Sequence, residues 1–222
     1  MSANITKLTA ADLAALLCAR ICHDLVGPVG ALETGLDLLE DDDNADMHED
    51  AIELMKVGAR QASAKLQFLR IAFGAGGSAP AVISGDEIER LSRAVYPDGK
   101  VTMGWSLDGD GLSKPATRVL LNLVMLAQQA IPLGGDIKVT STQSEQSTQL
   151  TLTCIGNKAR LETEMQKALS GGAPTDGFSG RTIQPFYTGM IAREVKGSVG
   201  TKVITEAEVV AFVADLPDQS DA

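Results

Sequence analysis

Two helical patterns of apolar residues occupy the first third of the chain. The pattern between Ala10 and Glu40 places its apolar side chains within about one quadrant of the helical wheel, at Leu17, Ile21, Leu25, Leu32, Leu36 and Leu39. The next pattern alternates spacings of three and four residues, at Ile52, Met55, Ala59, Ala62, Leu66, Leu69 and Phe73. An acidic turn at 41–44 separates the two, so the sequence predicts an antiparallel helical hairpin. Ala59 and Ala62, in the middle of the second pattern, would permit close approach of neighbouring helices.

A single hairpin leaves these apolar seams without a second layer of helices. Pairing of two copies into a dimeric four-helix bundle would cover both seams, so we expect a homodimer. Packing of the hairpin on its own C-terminal region is the alternative that the pattern leaves open.

The helical patterning ends at Phe73, and the small-residue sequence GAGGSAPA at 74–81 is typical of a linker. We therefore expect two domains, at 1–76 and 80–222. In the second domain, patterns typical of helices cover 85–95, 113–130, 160–169 and 183–195, and patterns typical of strands cover 101–107, 136–142, 148–155, 198–205 and 208–214. This order predicts an α+β fold with a mixed or antiparallel sheet under helices.

Composition narrows the classes of function. The 222 residues carry a formal net charge of −10, which argues against nucleic-acid binding and against a polybasic membrane anchor. No uninterrupted apolar run approaches the roughly 20 residues that span a bilayer, and the N-terminus lacks the pattern of a secretory signal. Three cysteines, Cys18, Cys22 and Cys154, are too few for a disulfide framework. We expect a cytoplasmic protein that binds neither nucleic acid nor membrane.

His23 lies on the opposite side of the first helix from the apolar stripe and is expected to point to solvent. Gly27 and Gly30 follow on the same face, so the surface beside the imidazole is nearly bare. These glycines and Pro28 are poor helix residues, and Pro28 has no N–H for the carbonyl of Asp24. A helix that must admit another protein's backbone beside a histidine tolerates such residues, although an idle surface histidine is the alternative.

Polar side chains surround this histidine. The carboxylate of Asp24 can orient the imidazole and raise its basicity, and Arg20 can steady a phosphoryl group, with an ordinary solvated charge as the alternative for Arg20. Cys18 and Cys22 could join His23 and Asp24 as metal ligands. However, Cys18 lies at the edge of the apolar stripe, where a buried thiol is the better interpretation, so we expect no metal site.

The run HDLVGPV at 23–29 resembles the H-box of sensor histidine kinases, which sits on the first helix of a dimeric hairpin. The region after the hairpin is similar in order and length to the ATP-binding domain of those kinases, a Bergerat-type α/β sandwich. Three ATP motifs of that domain are missing. Leu126 stands where the magnesium-binding Asn belongs, Cys154 and Lys158 replace an Asp and a Gly of the adenine-binding motif, and 180–187 lacks the late glycine motif. Together these losses argue against nucleotide binding.

A kinase-like hairpin followed by a degenerate nucleotide domain is similar to the ChpT family of histidine phosphotransferases, over essentially the whole chain and most clearly at 16–39 and 184–190. The resemblance implies a dimer that accepts phosphate from the receiver domain of a CckA-like hybrid kinase and passes it to CtrA-like response regulators. It implies that His23 is the phosphoacceptor, supported by Asp24 and Arg20. The receiver would supply magnesium, so the chain needs no cofactor of its own.

The same resemblance implies a receiver-docking face on the hairpin, made of Leu16, Ala19, Gly27, Gly30, Ala31, Thr34, Lys56 and Arg60. The height of Lys56 and Arg60 on the hairpin places them there, and ordinary solvated charge is the alternative for each. Kinases that double as phosphatases usually carry Thr or Asn at the position of Gly27, so we expect little phosphatase activity. Two other classes stay open: a divergent histidine kinase that still binds ATP, and a pseudo-kinase scaffold that only binds receivers.

Overall fold

Two long helices open the computed structural model, which describes residues 5–41, 46–74 and 82–217. Helix α1 spans Ala10–Glu40, helix α2 spans His48–Phe73, and the two pack against each other. Thr9 begins α1, because its Oγ1 accepts a hydrogen bond from the backbone N–H of Asp12 at 3.1 Å. The predicted hairpin is therefore confirmed. Most of the predicted turn and linker, and both domain boundaries, lie outside the described residues.

A five-stranded mixed sheet follows the hairpin. Its strands are β2 (Val101–Ser106), β4 (Gly135–Gln143), β5 (Ser147–Ile155), β6 (Ser198–Thr205) and β7 (Val209–Pro217). In space the order is β2-β4-β5-β7-β6, with β2 parallel to β4 and all other neighbours antiparallel. The predicted mixed sheet is thus confirmed. A separate two-residue ladder pairs β1 (Val82–Ile83) with β3 (Leu112–Ser113), and the sequence did not predict it.

Four helices accompany this sheet, namely α3 (Gly85–Val95), α4 (Lys114–Ala130), α5 (Thr163–Leu169) and α6 (Ile183–Glu194). Alternate strand residues such as Ile137, Leu152 and Phe212 are fully buried, which is the pattern of a sheet with one face on the core. Twelve of the 17 residues of α4 are buried, so this helix forms the centre of the core. The predicted α+β order, with helices first and a sheet afterwards, is confirmed.

Glycines, rather than the predicted alanines, bring α1 and α2 together. A Cβ atom on Gly58 would lie 2.8 Å from the carbonyl oxygen of Pro28. A Cβ atom on Gly35 would likewise overlap the side chain of Met55. Ala59 is exposed in the single chain, so the close approach of α1 and α2 does not depend on it. The helices therefore meet beside the predicted seam of α2, and part of that seam remains free.

The free side of the hairpin exposes apolar side chains. Val29 and Leu36 of α1 are 51% and 52% exposed, and Ile52 and Leu66 of α2 are 41% and 52% exposed. Both pairs are spaced by multiples of seven residues, so each helix carries an apolar stripe on one face. Within the described residues, α1 is also the one helix long and apolar enough to cross a membrane by length and composition, which is weak evidence by itself.

Polar contacts fasten the end of α2 to the second region. Asn122 of α4 is fully buried and donates from Nδ2 to the carbonyl oxygen of Ala72 at 2.8 Å. Gln184 of α6 in turn donates to Asn122 Oδ1 at 3.1 Å, and the hydroxyl of Tyr187 donates to the carbonyl oxygen of Phe73 at 3.1 Å. These bonds satisfy carbonyls that the helix end leaves without an intrahelical donor, so the hairpin is held at its base.

Candidate functional site

His23 projects from the middle of α1 with 82% of its side chain exposed. Its Nδ1 lies 3.4 Å from Oδ1 of Asp24, the next residue along the helix. When Nδ1 carries the ring proton, the Nδ1–H group donates a hydrogen bond to this carboxylate, and the free lone pair of the ring is on Nε2. The structure thus supplies the contact between imidazole and carboxylate that the helical wheel left uncertain.

Arg20 is turned toward Asp24 and is not a free cation beside the imidazole. Its Nε donates to Asp24 Oδ2 at 3.0 Å, and its Nη1 donates to the carbonyl oxygen of Gly180 at 3.4 Å. The arginine side chain is only 11% exposed. In this structure Arg20 holds the carboxylate of Asp24, which in turn contacts His23.

Lys65 of α2 contacts the same residue from the other side. Its Nζ donates to the backbone carbonyl oxygen of Asp24 at 2.8 Å. That carbonyl has no intrahelical donor, because residue 28 is a proline. The sequence reading missed Lys65, although the carbonyl freed by Pro28 was the signal that a donor from the facing helix was needed.

Four residues of the predicted docking face lie on the open surface of α1. Gly27 and Gly30 have no atom within 4 Å of where a Cβ would stand, apart from their own helix backbone and chain neighbours. Ala19 and Thr34 are exposed. The structure therefore leaves a low surface beside His23, as the glycines predicted.

Two other predicted docking residues face the interior. Leu16 is half-buried and packs on a cluster formed by Ala168, Ile183 and Phe186, so it joins α1 to the second region. Ala31 is half-buried, and its Cβ lies 3.2 Å from the position that a Cβ on Gly58 would take. Ala31 thus belongs to the contact between the two helices of the hairpin.

The two predicted docking cations of α2 are both exposed. Lys56 lies 3.4 Å from a carboxylate oxygen of Glu53 in an ion pair that is open to solvent. Such exposed pairs contribute little free energy, so they leave the lysine available. Arg60 is also exposed.

A cavity of about 280 Å³ lies beside Asp24. Lys65 and Tyr96 line it together with apolar side chains, namely Phe68, Leu69, Val95 and Met125. Burial raises the pKa of Tyr96 to about 12, and the nearby carboxylate of Asp24 adds to this effect while Arg20 opposes it. Tyr96 therefore stays neutral at physiological pH next to the pair of Arg20 and Asp24.

The negative charge of the chain is concentrated away from His23. The segment 33–53 contains ten of the 29 acidic residues and no Lys or Arg, and the other 19 acidic residues equal the 19 basic ones in number. Glu40, at the end of α1, lies about 25 Å along the helix from His23 at a rise of 1.5 Å per residue. The excess charge of −10 thus belongs to the segment 33–53 of the sequence.

Both cysteines near His23 are exposed in the single chain. Cys18 and Cys22 are free thiols on α1, so the interpretation of Cys18 as a buried thiol is wrong for one copy. In the part of the chain that the structure describes, no group of three or more His, Cys, Asp or Glu side chains could hold a metal ion.

Two of the positions that depart from the kinase ATP motifs, Leu126 and Cys154, are buried in this structure, whereas Lys158 is exposed. Leu126 is 2% exposed in α4, and Cys154 is fully buried in β5, where burial raises the pKa of its thiol to about 12. Asn122 binds the end of α2, and Gly180 accepts a hydrogen bond from Arg20. These positions hold the core together and connect it to the hairpin.

Known proteins share both the sequence and the fold of this chain. Residues 85–206 match the family model of the histidine phosphotransferase C-terminal domain. The protein phosphotransferase ChpT of Brucella abortus (strain 2308) is 38% identical over 215 residues, which cover 97% of this chain and 100% of that protein. The 1.7 Å structure of a bacterial phosphotransferase matches with a TM-score of 0.82 and 35% identity, covering 94% of this chain and 98% of the other.

A more distant likeness concerns the fold alone. Full-length ShkA in complex with AMPPNP matches 97% of this chain and 47% of its own length, with a TM-score of 0.50 and 16% identity. The near relatives are decisive, because they match almost end to end at more than a third identity. The chain belongs to the histidine phosphotransferase family that includes ChpT.

Proposed function

We propose that this protein is a phosphorelay histidine phosphotransferase in which His23 carries the phosphoryl group. Family membership supports phosphotransfer through a histidine, and the chain contains two histidines. His48 is half-buried and its Nε2 is buried without a hydrogen-bond partner in the described residues, so this nitrogen is closed to an incoming phosphoryl group. The observation that carries the assignment is the exposed imidazole of His23, held by Asp24 and flanked by bare glycines.

The reaction follows from the arrangement of Asp24 around the ring. Nε2 of His23 attacks the phosphorus of a receiver's phospho-aspartate, and the bond from phosphorus to the aspartyl oxygen breaks, which releases the receiver's carboxylate. The Nδ1 proton faces Asp24 Oδ1, which stabilises the positive charge that develops on the ring. The reverse step transfers the phosphoryl group to the aspartate of the next receiver.

Receiver domains are the partners that fit this surface. The low surface at Ala19, Gly27, Gly30 and Thr34 lets a receiver's backbone come close to His23. The receiver's acidic pocket would carry the magnesium ion, so the chain would use no cofactor of its own. Lys56 and Arg60 would add local positive charge for an acidic partner. Following the resemblance of the sequence, the donor would be the receiver of a CckA-like hybrid kinase and the acceptors would be CtrA-like response regulators.

The protein would act as a cytoplasmic homodimer. Its apolar stripes, at Val29 and Leu36 on α1 and at Ile52 and Leu66 on α2, lie open in the single chain. Pairing with a second hairpin would bury them in a four-helix bundle, which also accounts for an apolar α1 without a membrane. The acidic residues near the hairpin turn would stay in water at the end of that bundle.

The proposal is tested by phosphotransfer from a ³²P-labelled receiver domain to the purified full chain. We expect label on the wild-type protein and none above background on His23→Ala, while His48→Ala accepts label like the wild type. Label on His23→Ala, or failure of the wild type to accept label from any receiver tested, contradicts the proposal.

The same preparation separates the two other classes of function. Label taken directly from ATP would indicate a divergent histidine kinase. Receiver binding that persists with unchanged signalling in His23→Ala would indicate a scaffold. The buried Leu126 and Cys154 favour neither ATP binding nor the kinase alternative.

A further inference from the structure

We propose that Lys65 is a positioning residue for phosphotransfer, because it occupies the backbone acceptor that Pro28 leaves free directly beside His23. The inference rests on the proposed role of His23 and adds a residue from the second helix to it. Lys65 touches no reacting atom in this arrangement, and it acts through the backbone of Asp24.

The hydrogen-bond pattern of α1 has a gap at this place. In an α-helix the carbonyl of one residue accepts a hydrogen bond from the N–H four residues later. Four residues after Asp24 stands Pro28, which is buried inside α1 and has no N–H. Lys65 Nζ, which is 41 residues away along the chain, donates to that carbonyl at 2.8 Å. A contact between the two helices thus replaces a bond within one helix.

Lys65 stands on a firm part of α2. Phe68 and Leu69, less than two turns further on, are 1% and 5% exposed in the core of the second region. Asn122 then holds the carbonyl of Ala72 at the end of the same helix. Buried packing therefore fixes the backbone of α2 at Lys65. The lysine connects this fixed part of the core to α1.

Two side chains hold Asp24 in place through separate hydrogen bonds. Arg20 fixes its carboxylate, and Lys65 fixes its backbone carbonyl. The imidazole of His23 depends on both, because Asp24 Oδ1 faces its Nδ1 at 3.4 Å. Without Lys65 the carbonyl must find water and the helix around it gains freedom, so Nε2 is aligned less often for attack. In-line transfer is sensitive to such displacements of the reacting atoms.

Lys65→Met removes the donor and keeps a chain of similar length, and Lys65→Arg keeps a donor. We expect Lys65→Met to lower the maximal rate of transfer from a phosphorylated receiver about tenfold. Lys65→Arg should stay within about threefold of the wild type, since an N–H donor remains. The receiver concentration at half-maximal rate should change less than about twofold for both, because the residue is not part of the docking face.

Pro28→Ala supplies the decisive background, since alanine restores the N–H that the Asp24 carbonyl lacks. In that background Lys65→Met should change the rate less than about twofold and should lower the midpoint of thermal unfolding less than it does in the wild type. An equal loss in both backgrounds, a wild-type rate for Lys65→Met, or a loss that appears as weaker receiver binding would each overturn the proposal.

Thermal unfolding measurements distinguish a failure of the proposed function from a failure of the proposed role of Lys65. If no receiver labels the wild type, the proposed function fails, and the thermal cycle of Lys65→Met and Pro28→Ala still shows whether the lysine satisfies the carbonyl. If wild type is labelled, His23→Ala is not, and Lys65→Met is labelled at the full rate, the function stands and the role of Lys65 is refuted.

Discussion

Helices α1 and α4 illustrate two ways of using apolar residues. Helix α1 has 31 residues, of which Pro28 and Gly35 are buried in the single chain. Helix α4 has 17 residues, of which twelve are buried. Helix α4 thus lies inside a completed core, which the end of α2 joins through Phe68 and Leu69, whereas α1 keeps most of its length at the surface. Under the proposed function, α1 must keep His23 accessible to partners, and a second copy of the chain would cover its remaining apolar surface.

The largest effect is expected where this contrast is tested directly, with Leu36→Glu in the hairpin and Leu133→Glu in the second region. Both leucines are 52% exposed. Leu36→Glu should raise the dissociation constant of the proposed dimer roughly 10- to 100-fold, since each of its two leucines loses about half of the roughly 1.5–3 kcal/mol that full burial contributes. Leu133→Glu should leave sedimentation unchanged. Equal behaviour of the two variants in analytical ultracentrifugation would remove the distinction between the helices.

The next effect concerns the joint between the two regions. Asn122→Ala should lower the free energy of unfolding by about 2–3 kcal/mol, because Gln184 loses an acceptor and the carbonyl of Ala72 loses its donor in a buried place. Thr188→Ala is the matched control, since that buried hydroxyl bonds only within α6 and should cost about 1 kcal/mol. Urea denaturation measures both. If the two losses are equal, Asn122 is not a joint between the regions.

Two glycines of the hairpin should respond in opposite directions. Gly58→Ala should lower the free energy of unfolding by about 1–3 kcal/mol, because its Cβ would meet the carbonyl oxygen of Pro28 at 2.8 Å. Gly27→Ala should raise it by up to about 1 kcal/mol through helix propensity, and yet slow transfer from a receiver by covering the low surface beside His23. Denaturation and labelling assays check the pair. Faster transfer by Gly27→Ala would show that the bare surface has no docking role.

The smallest effect is a pH dependence that arises in the closed core of the second region. The pKa of Cys154 rises from 9.0 to about 12 on folding, because burial disfavours the thiolate. The stability that this thiol contributes is complete below pH 9 and is lost as the pH rises toward 12, where the unfolded chain releases the proton first. Between pH 9 and pH 12, the midpoint temperature of thermal unfolding should therefore fall less steeply for Cys154→Ala than for the wild type. Equal slopes would mean that the thiol is accessible to solvent.

Periodic features could be predicted from the sequence, and long-range partners could not. The spacing of apolar residues predicted both hairpin helices and the strands of the mixed sheet, because each depends on residues close together in the chain. The two-residue ladder of β1 and β3 is too short to produce a pattern. The free surface around His23 followed from the wheel and the glycines, since both are properties of one helix.

Several contacts that the sequence did not predict join segments far apart in the chain. Arg20 meets Gly180, Leu16 meets the cluster around Phe186, and Lys65 reaches Asp24 across the hairpin. A helical wheel shows only which side a residue faces. It does not show which element covers that side, so a cation predicted to meet phosphate could equally be engaged by a loop.

The uneven distribution of charge along the hairpin gives the molecule a large dipole moment. The excess negative charge lies in the segment 33–53, which begins about 15 Å along α1 from His23, and the remaining chain is neutral in sum. An acidic domain that diffuses toward such a body is repelled from the charged end and turned toward the neutral one, an effect that weakens as salt shortens the Debye length below about 10 Å. A net charge that looks unfavourable for acidic partners would therefore orient their approach toward the histidine.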